Sequence, residues 1–390
     1  MEILEKWHLA PGHHHPVPHH SDCLCNSLSA RIILFSWEKT LPGIRCIGRR
    51  IEHMKRIKKW IQEHQLAAFF GITFLITWGL GFSYAGPEYL FPLASVATCG
   101  PALAGIIISR ICNTEPVLES RKVFWIVFPI ALVLVTLVFL TFNVVNHAVT
   151  LSVIMVLALT IISIPVAFIL SAGYSRFPSL RKYLSSVYQV RGVWFWLLLA
   201  PVLMLGLDLL SIVASNLMGR QSVLLTDLHY TGITLIKMVG ITFLYQLFFF
   251  NLTGEEIGWR GFALPRLLNR TSPMLAAAVL TFFWAIWHTF YWRAAGEPVW
   301  TFAYWVDTLI RLFPATVLIN WFYIRSRGSI LVAGVLHAAS NTFFTLLPGL
   351  DWSVHTTILY IFTGSLLLID RMWKKLPGDH PAVFQQFLNI

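Results

Sequence analysis

The chain has 390 residues, 56% of them hydrophobic and 12% charged, and a formal net charge of +11; its mean hydropathy is +0.68. That length would suit two or three soluble domains, but the composition excludes them, because several apolar runs reach the ~20 residues that cross a bilayer. The expected fold is all-α, a polytopic transmembrane helical bundle of about 8–10 membrane helices. The positive charge comes with no nucleic-acid-binding motif, so the lipid bilayer is the expected partner and nucleic acid is not.

Residues 1–53 differ from the rest. A His/Pro tract from His13 to His20 and the Cys23-Leu-Cys25 pair sit in a segment without clear periodicity. Such a tract can bind metal, but the composition reads as a disordered leader. Its apolar stretch 32–35 is too short for a signal peptide. Met54-Lys-Arg-Ile-Lys-Lys-Trp60 has the form of a membrane-protein start, basic and then helical. Translation is therefore expected to begin at Met54, with 1–53 untranslated and Arg49-Arg50 the readout of an AGG-AGG ribosome-binding sequence.

Membrane helices are expected at 66–85, 89–111, 123–142, 148–170, 192–218, 231–252, 273–292, 300–324, 329–347 and 353–370. The chain then divides into N-terminal transmembrane helices (54–230), a central helical core (231–350), and a last membrane helix with a tail (351–390). Lys and Arg fall in alternate connections: Lys55 to Lys59, Arg110 to Lys122, Arg176 to Arg191, Arg266 with Arg270, Arg325 with Arg327, and Arg371 to Lys375. The loops between them, at 86–88, 143–147, 220, 293 and 348–351, hold few basic residues. By the positive-inside rule both termini are cytoplasmic, in a multi-pass protein of the cell membrane. Five cysteines, an odd count, imply no disulfide framework.

The apolar run at 241–250 leads into Thr253-Gly-Glu-Glu-Ile-Gly-Trp-Arg-Gly261. A charge at the centre of a membrane helix costs roughly 2.5–3.5 kcal/mol, so such residues pair, face the protein interior or do chemistry. Glu256 and Arg260 are i,i+4 and are expected to pair. Glu255 lies about 100° round the helix with no local partner, which makes it a candidate general base. Two later helices each carry a histidine in an apolar setting, Phe282-Phe-Trp-Ala-Ile-Trp-His288 and His337-Ala-Ala-Ser-Asn341, with His337 and Asn341 again i,i+4. Elsewhere, Asp307 and Arg311 are expected to neutralise each other, and Lys237 to snorkel. Asp208 has no evident partner and reads as structural.

Glu255-Glu256-x-x-x-Arg260, then His288, then His337-x-x-x-Asn341 resembles the three-motif signature of the type II CAAX prenyl endopeptidase and bacteriocin-processing (CPBP) intramembrane protease family, in its prokaryotic branch. The resemblance covers 244–346. Trp284 stands where that family usually has Phe, and Phe290 replaces a common proline; both read as packing changes that bear on substrate choice rather than chemistry. The resemblance implies an active site in an intramembrane cavity and a substrate that is a membrane-associated protein or peptide. It implies that Glu255 and His288 activate water and that Glu256, held by Arg260, orients the site. His337 and Asn341 would stabilise the oxyanion.

No His-Glu-x-x-His and no Gly-x-Ser-Gly occur, which argues against zincin-type and rhomboid-like chemistry. Nothing in the sequence requires a cofactor, but Glu255, His288 and His337 are plausible zinc ligands. Two alternatives use the same residues: a proton-coupled transporter, and a non-catalytic membrane scaffold or immunity factor. The topology has a direct check. Reporter fusions after Arg270 and Arg327 should read cytoplasmic and one after Gly349 external, and an external reading at Arg327 would break the assignment.

Overall fold

A computed structural model describes residues 42–81, 96–120, 122–147, 152–220, 229–347 and 349–384. The chain divides into two units, Met1–Trp60 and Ile61–Ile390. In the first, the His/Pro tract, Cys23 and Cys25 lie outside the described residues. Helix α1 (Pro42–Glu63) begins inside the expected leader. Ile44, Ile47 and Ile51 repeat there at helical spacing, a short periodicity masked by the glycines and arginines between them.

The larger unit is inside-out by the standards of a water-soluble protein. Trp125, Ile126, Ile130, Val133, Leu134 and Leu137 are exposed along one helix, while Asp208, Asn251, Glu255, Glu256, Arg260, Asn320 and His337 are buried. That is the pattern of a chain whose outer solvent is hydrocarbon. Its helices in order are α2 (Gln65–Gly81), α3 (Gly100–Ile111), α4 (Lys122–His147), α5 (Val153–Ala172), α6 (Pro178–Tyr188), α7 (Trp194–Leu217) and α8 (Gly232–Tyr245). Then follow α9 (Leu264–Arg270), α10 (Pro273–Trp287), α11 (Thr289–Ala294), α12 (Phe302–Arg325), α13 (Ile330–Leu346), α14 (Trp352–Ile369) and α15 (Pro381–Phe384).

Seven stretches among the described residues are long and apolar enough to cross a membrane. Of the remaining helices expected to cross, α2, α3 and α13 are 17, 12 and 17 residues long. Most of the connection between α2 and α3, residues 82–95, lies outside the described residues, Gly86–Glu88 included. Helix α6 occupies a connection expected to be a basic loop. Pro178 opens it, and Leu180, Tyr183, Leu184 and Val187 are buried at helical spacing.

Helix α13 packs against α7 and against the backbone that follows α8, and α10 packs on α12. The Ser329 hydroxyl caps α13 by accepting from Val332 N at 3.2 Å, and Ser272 caps α10 by accepting from Leu275 N at 3.4 Å, with Pro273 opening the helix. In α12, Pro314 has no N–H to give the Ile310 carbonyl. The Tyr360 hydroxyl of α14 donates to that oxygen instead, at 2.8 Å, which joins the two helices where the ladder is broken.

The span that holds the Glu-Glu motif is the longest, Gly232–Arg270, 39 residues. Helix α8 passes into π-helical turns at Gln246–Glu256 and Trp259–Ala263 and then into α9. Pro265 does not end the helix, as a proline in a helix interior would. It sits in the first turn of α9, and a missing N–H is tolerated at that point. Gly258 lets the span lie directly on α3. A Cβ there would come within 2.3 Å of Pro101 Cβ and 2.4 Å of its carbonyl carbon. Gly258→Ala should therefore lower the thermal midpoint in detergent by an overpacking penalty of roughly 1–3 kcal/mol. Gly240→Ala, at a position with nothing within 4 Å of the added carbon, should not.

Candidate active site

The π-helical turns free backbone carbonyls from the regular ladder, and buried side chains answer them. Thr98 Oγ1 donates to Phe249 O at 3.2 Å, Tyr183 OH to Ile257 O at 2.5 Å, and Arg266 Nη1 to Phe262 O at 2.8 Å. Thr253 Oγ1 donates to Phe248 O within the same stretch. Widened turns of this kind recur at functional sites, and this one carries both carboxylates.

Glu256 has no exposure at all and Arg260 retains 1%. Arg260 Nη1 donates to Glu256 Oε1 at 2.8 Å, the expected i,i+4 pair. The same oxygen accepts from His337 Nδ1 at 2.7 Å, which ties α13 to the motif. Arg260 is held from two further sides. Its Nε donates to Asn320 Oδ1 of α12 at 3.1 Å, and its guanidinium lies over the Trp284 ring at 4.9 Å.

Glu255 turns the other way; it has no local partner on its own helix, as expected, but one on α10. Trp284 Nε1 donates to Glu255 Oε2 at 2.5 Å. Oε1 accepts no hydrogen bond among the described residues, and the residue keeps 5% exposure. His288 follows Trp284 by one turn and donates through Nδ1 to the Trp284 carbonyl at 2.8 Å, the pairing that leaves Nε2 with its lone pair in the neutral ring. The rings of His288 and His337 lie 5.2 and 5.3 Å from that of Trp284.

Glu255, Glu256, Arg260, His288 and His337 thus meet around Trp284. Asn341 stands one turn beyond His337, where its Nδ2 reaches Gln246 Oε1 at 3.5 Å, and it bonds to none of the other five. For the suggested zinc ligands Glu255, His288 and His337, no group of three or more His, Cys, Asp or Glu side chains among the described residues is placed to hold a metal, and each histidine engages its Nδ1, which leaves Nε2. Asp208 finds its partner in His355 of α14, with Oδ1 at 3.3 Å from Nδ1, and Ser211 Oγ lies 3.3 Å from the same nitrogen. Asp307 and Arg311 pair at 2.8 Å as expected.

Three members of the cluster were not singled out as functional in the sequence. Asn320 and Gln246 had a signal, each an amide in an apolar run. Trp284 had one in its departure from the family's usual Phe, read there as packing, because its donor counts only once Glu255 is known to face it.

An all-α membrane protein with an Arg-compensated Glu-Glu pair and two converging histidines defines a class, the polytopic helical proteins with a buried acid–imidazole centre. The comparisons narrow it. Residues 237–343 match the family model described as Type II CAAX prenyl endopeptidase Rce1-like. The chain is also 26% identical over 129 residues to CAAX prenyl protease 2 of Methanococcus maripaludis. That alignment covers 30% of this chain and 46% of the relative, so the chain spans about half the length of the curated protein it matches. These matches support the family that the three motifs resemble, over the 237–343 core.

Breaking the central ion pair has a defined consequence. Arg260→Ala leaves Glu256 buried without its guanidinium, a loss of roughly 3–5 kcal/mol. Folded yield and thermal stability in detergent should both fall, and normal values for both would show that the pair does not carry the site.

Proposed function

We propose that this chain is an intramembrane endopeptidase that hydrolyses a peptide bond of a membrane-associated protein or peptide. The observation that carries the reading is the unequal treatment of two adjacent carboxylates. Each has one oxygen held and one without a hydrogen bond, but Glu256 is fully buried with Arg260 and His337 both on Oε1, whereas Glu255 has no cation bonded to it and keeps 5% exposure. A group with a free lone pair beside a compensated charge is suited to act as a base.

In this reading the free oxygen of Glu255 takes a proton from water as the water oxygen attacks the scissile carbonyl carbon, and the proton then passes to the departing amine. His288 helps orient the water through Nε2. Glu256 and Arg260 fix the motif and the orientation of the His337 ring. His337, donating through Nε2 when doubly protonated, and the amide of Asn341 stabilise the oxyanion. The relative's printed name supports a substrate that ends in a prenylated Cys-containing tail; peptide precursors and membrane-protein tails are the other candidates. The alternating Lys/Arg loops support a place in the cell membrane with both termini cytoplasmic.

The test is Glu255→Gln in the full chain, assayed on fluorogenic membrane peptides that include a prenylated C-terminal one. Cleavage should fall to background while the thermal midpoint holds. Asn341→Ala should be milder, about 10²–10³-fold, the effect typical of losing one oxyanion donor. Wild-type cleavage by Glu255→Gln would overturn the catalytic assignment and favour the transporter, which proton-coupled uptake into vesicles would reveal. Stoichiometric zinc in the purified protein, lost on joint replacement of His288 and His337, would overturn water activation by Glu255 alone.

A further inference from the structure

Trp284 replaces an expected phenylalanine, and its surroundings give that replacement a role. It touches the buried polar cluster through separate parts of one residue. The indole N–H meets Glu255 Oε2, the ring face carries the Arg260 guanidinium, the ring edge meets His337, and the backbone carbonyl accepts from His288 Nδ1. The residue is itself 3% exposed.

We propose that Trp284 is a positioning residue of this site, holding Glu255 and His288 in the mutual orientation that the reaction needs. The inference rests on the reading of Glu255 as the base.

A phenyl ring at 284 would fill much of the same volume but would leave Glu255 Oε2 without its donor, and an unsatisfied buried carboxylate oxygen is unfavourable. An indole nitrogen donates and cannot accept. The contact therefore distinguishes the two oxygens permanently, with Oε2 held and Oε1 available to water. The carbonyl of the same residue selects the Nδ1–H form of neutral His288, which turns Nε2 outward as an acceptor.

The helix that carries Trp284 is fixed in rotation by its neighbours. One turn on, Trp287 Nε1 donates to Thr77 Oγ1 of α2 at 2.9 Å, and Thr77 Oγ1 donates to Ala97 O at 2.9 Å. Trp287 also packs edge-on against Trp259 of the motif span, with ring centroids 6.0 Å apart. A helix pinned on this face presents residue 284 to Glu255 and residue 288 beside it, since the two are a turn apart.

The test uses the full chain in detergent, with Trp284→Phe as the ring-preserving variant. If the indole positions the base, kcat falls about 10- to 100-fold, the range for one hydrogen bond to a charged group, while KM stays within about twofold. A variant that only loosened packing would lose folded fraction without that split once activity is normalised to folded protein. The second measurement does not need the variant to fold. In ultraviolet resonance Raman spectra, the indole N–H band should differ between wild type and Glu255→Gln, because one tryptophan loses its carboxylate acceptor. Wild-type kcat in Trp284→Phe, or an indole band unchanged by Glu255→Gln, overturns the proposal. Full activity of Glu255→Gln together with a changed band would instead sink the base assignment and leave the contact standing.

Discussion

A carboxylate sealed from solvent needs its charge answered on the spot, and Glu256 is answered from more than one element. Arg260 comes from its own span and His337 from α13. Asn320 of α12 and Trp284 of α10 complete the surroundings of Arg260. Removing any one helix, or rotating it by a residue, turns a donor about 100° away. The attraction between the charges in a dry interior is strong, but so is the desolvation each has suffered, so the cluster is better understood as fixing helix register than as adding stability.

The span bearing the motif is not a plain α-helix. Glu255 and Glu256 are consecutive, and each has to serve a different neighbour, Trp284 on α10 for the first and His337 on α13 for the second. The widened turns bring with them unpaired carbonyls, which in hydrocarbon would be prohibitive. Thr98 and Tyr183 supply missing donors from other parts of the chain, and Arg266 supplies one from the end of the same span. Close contact with α3 at Gly258 then holds the irregular stretch against a regular one. The same economy appears at Pro314, where Tyr360 supplies the donor that proline lacks.

The result is two adjacent carboxylates in different surroundings. Glu256 is fully buried and paired with a cation, Glu255 keeps 5% exposure and is held by an indole, and the aromatic wall of Trp284 and Trp287 keeps the surroundings of His288 apolar. An acid–base pair in a low-dielectric site gains strength from the exclusion of water, provided that its members are already oriented.

Much of this was legible in the residues. Composition alone determined the class, because a chain this apolar cannot hide its surface from water without a bilayer. The i,i+4 spacing of Glu256 and Arg260 determined their pairing, since that relation is internal to one helix and independent of the rest of the fold. The order of the Glu-Glu, His288 and His337–Asn341 segments pointed to the family before any coordinates. What spacing could not reach were the contacts between helices. The sequence says that Glu255 lacks a local partner, but not that α10 brings it an indole. It says that His337 and Asn341 share a face, but not that His337 is claimed by Glu256 while Asn341 turns to Gln246. Nor could it show that Pro265 is harmless, because whether a missing N–H matters depends on where the π-helical turns end. Periodicity fixes which side of a helix a residue occupies; only packing decides what stands opposite.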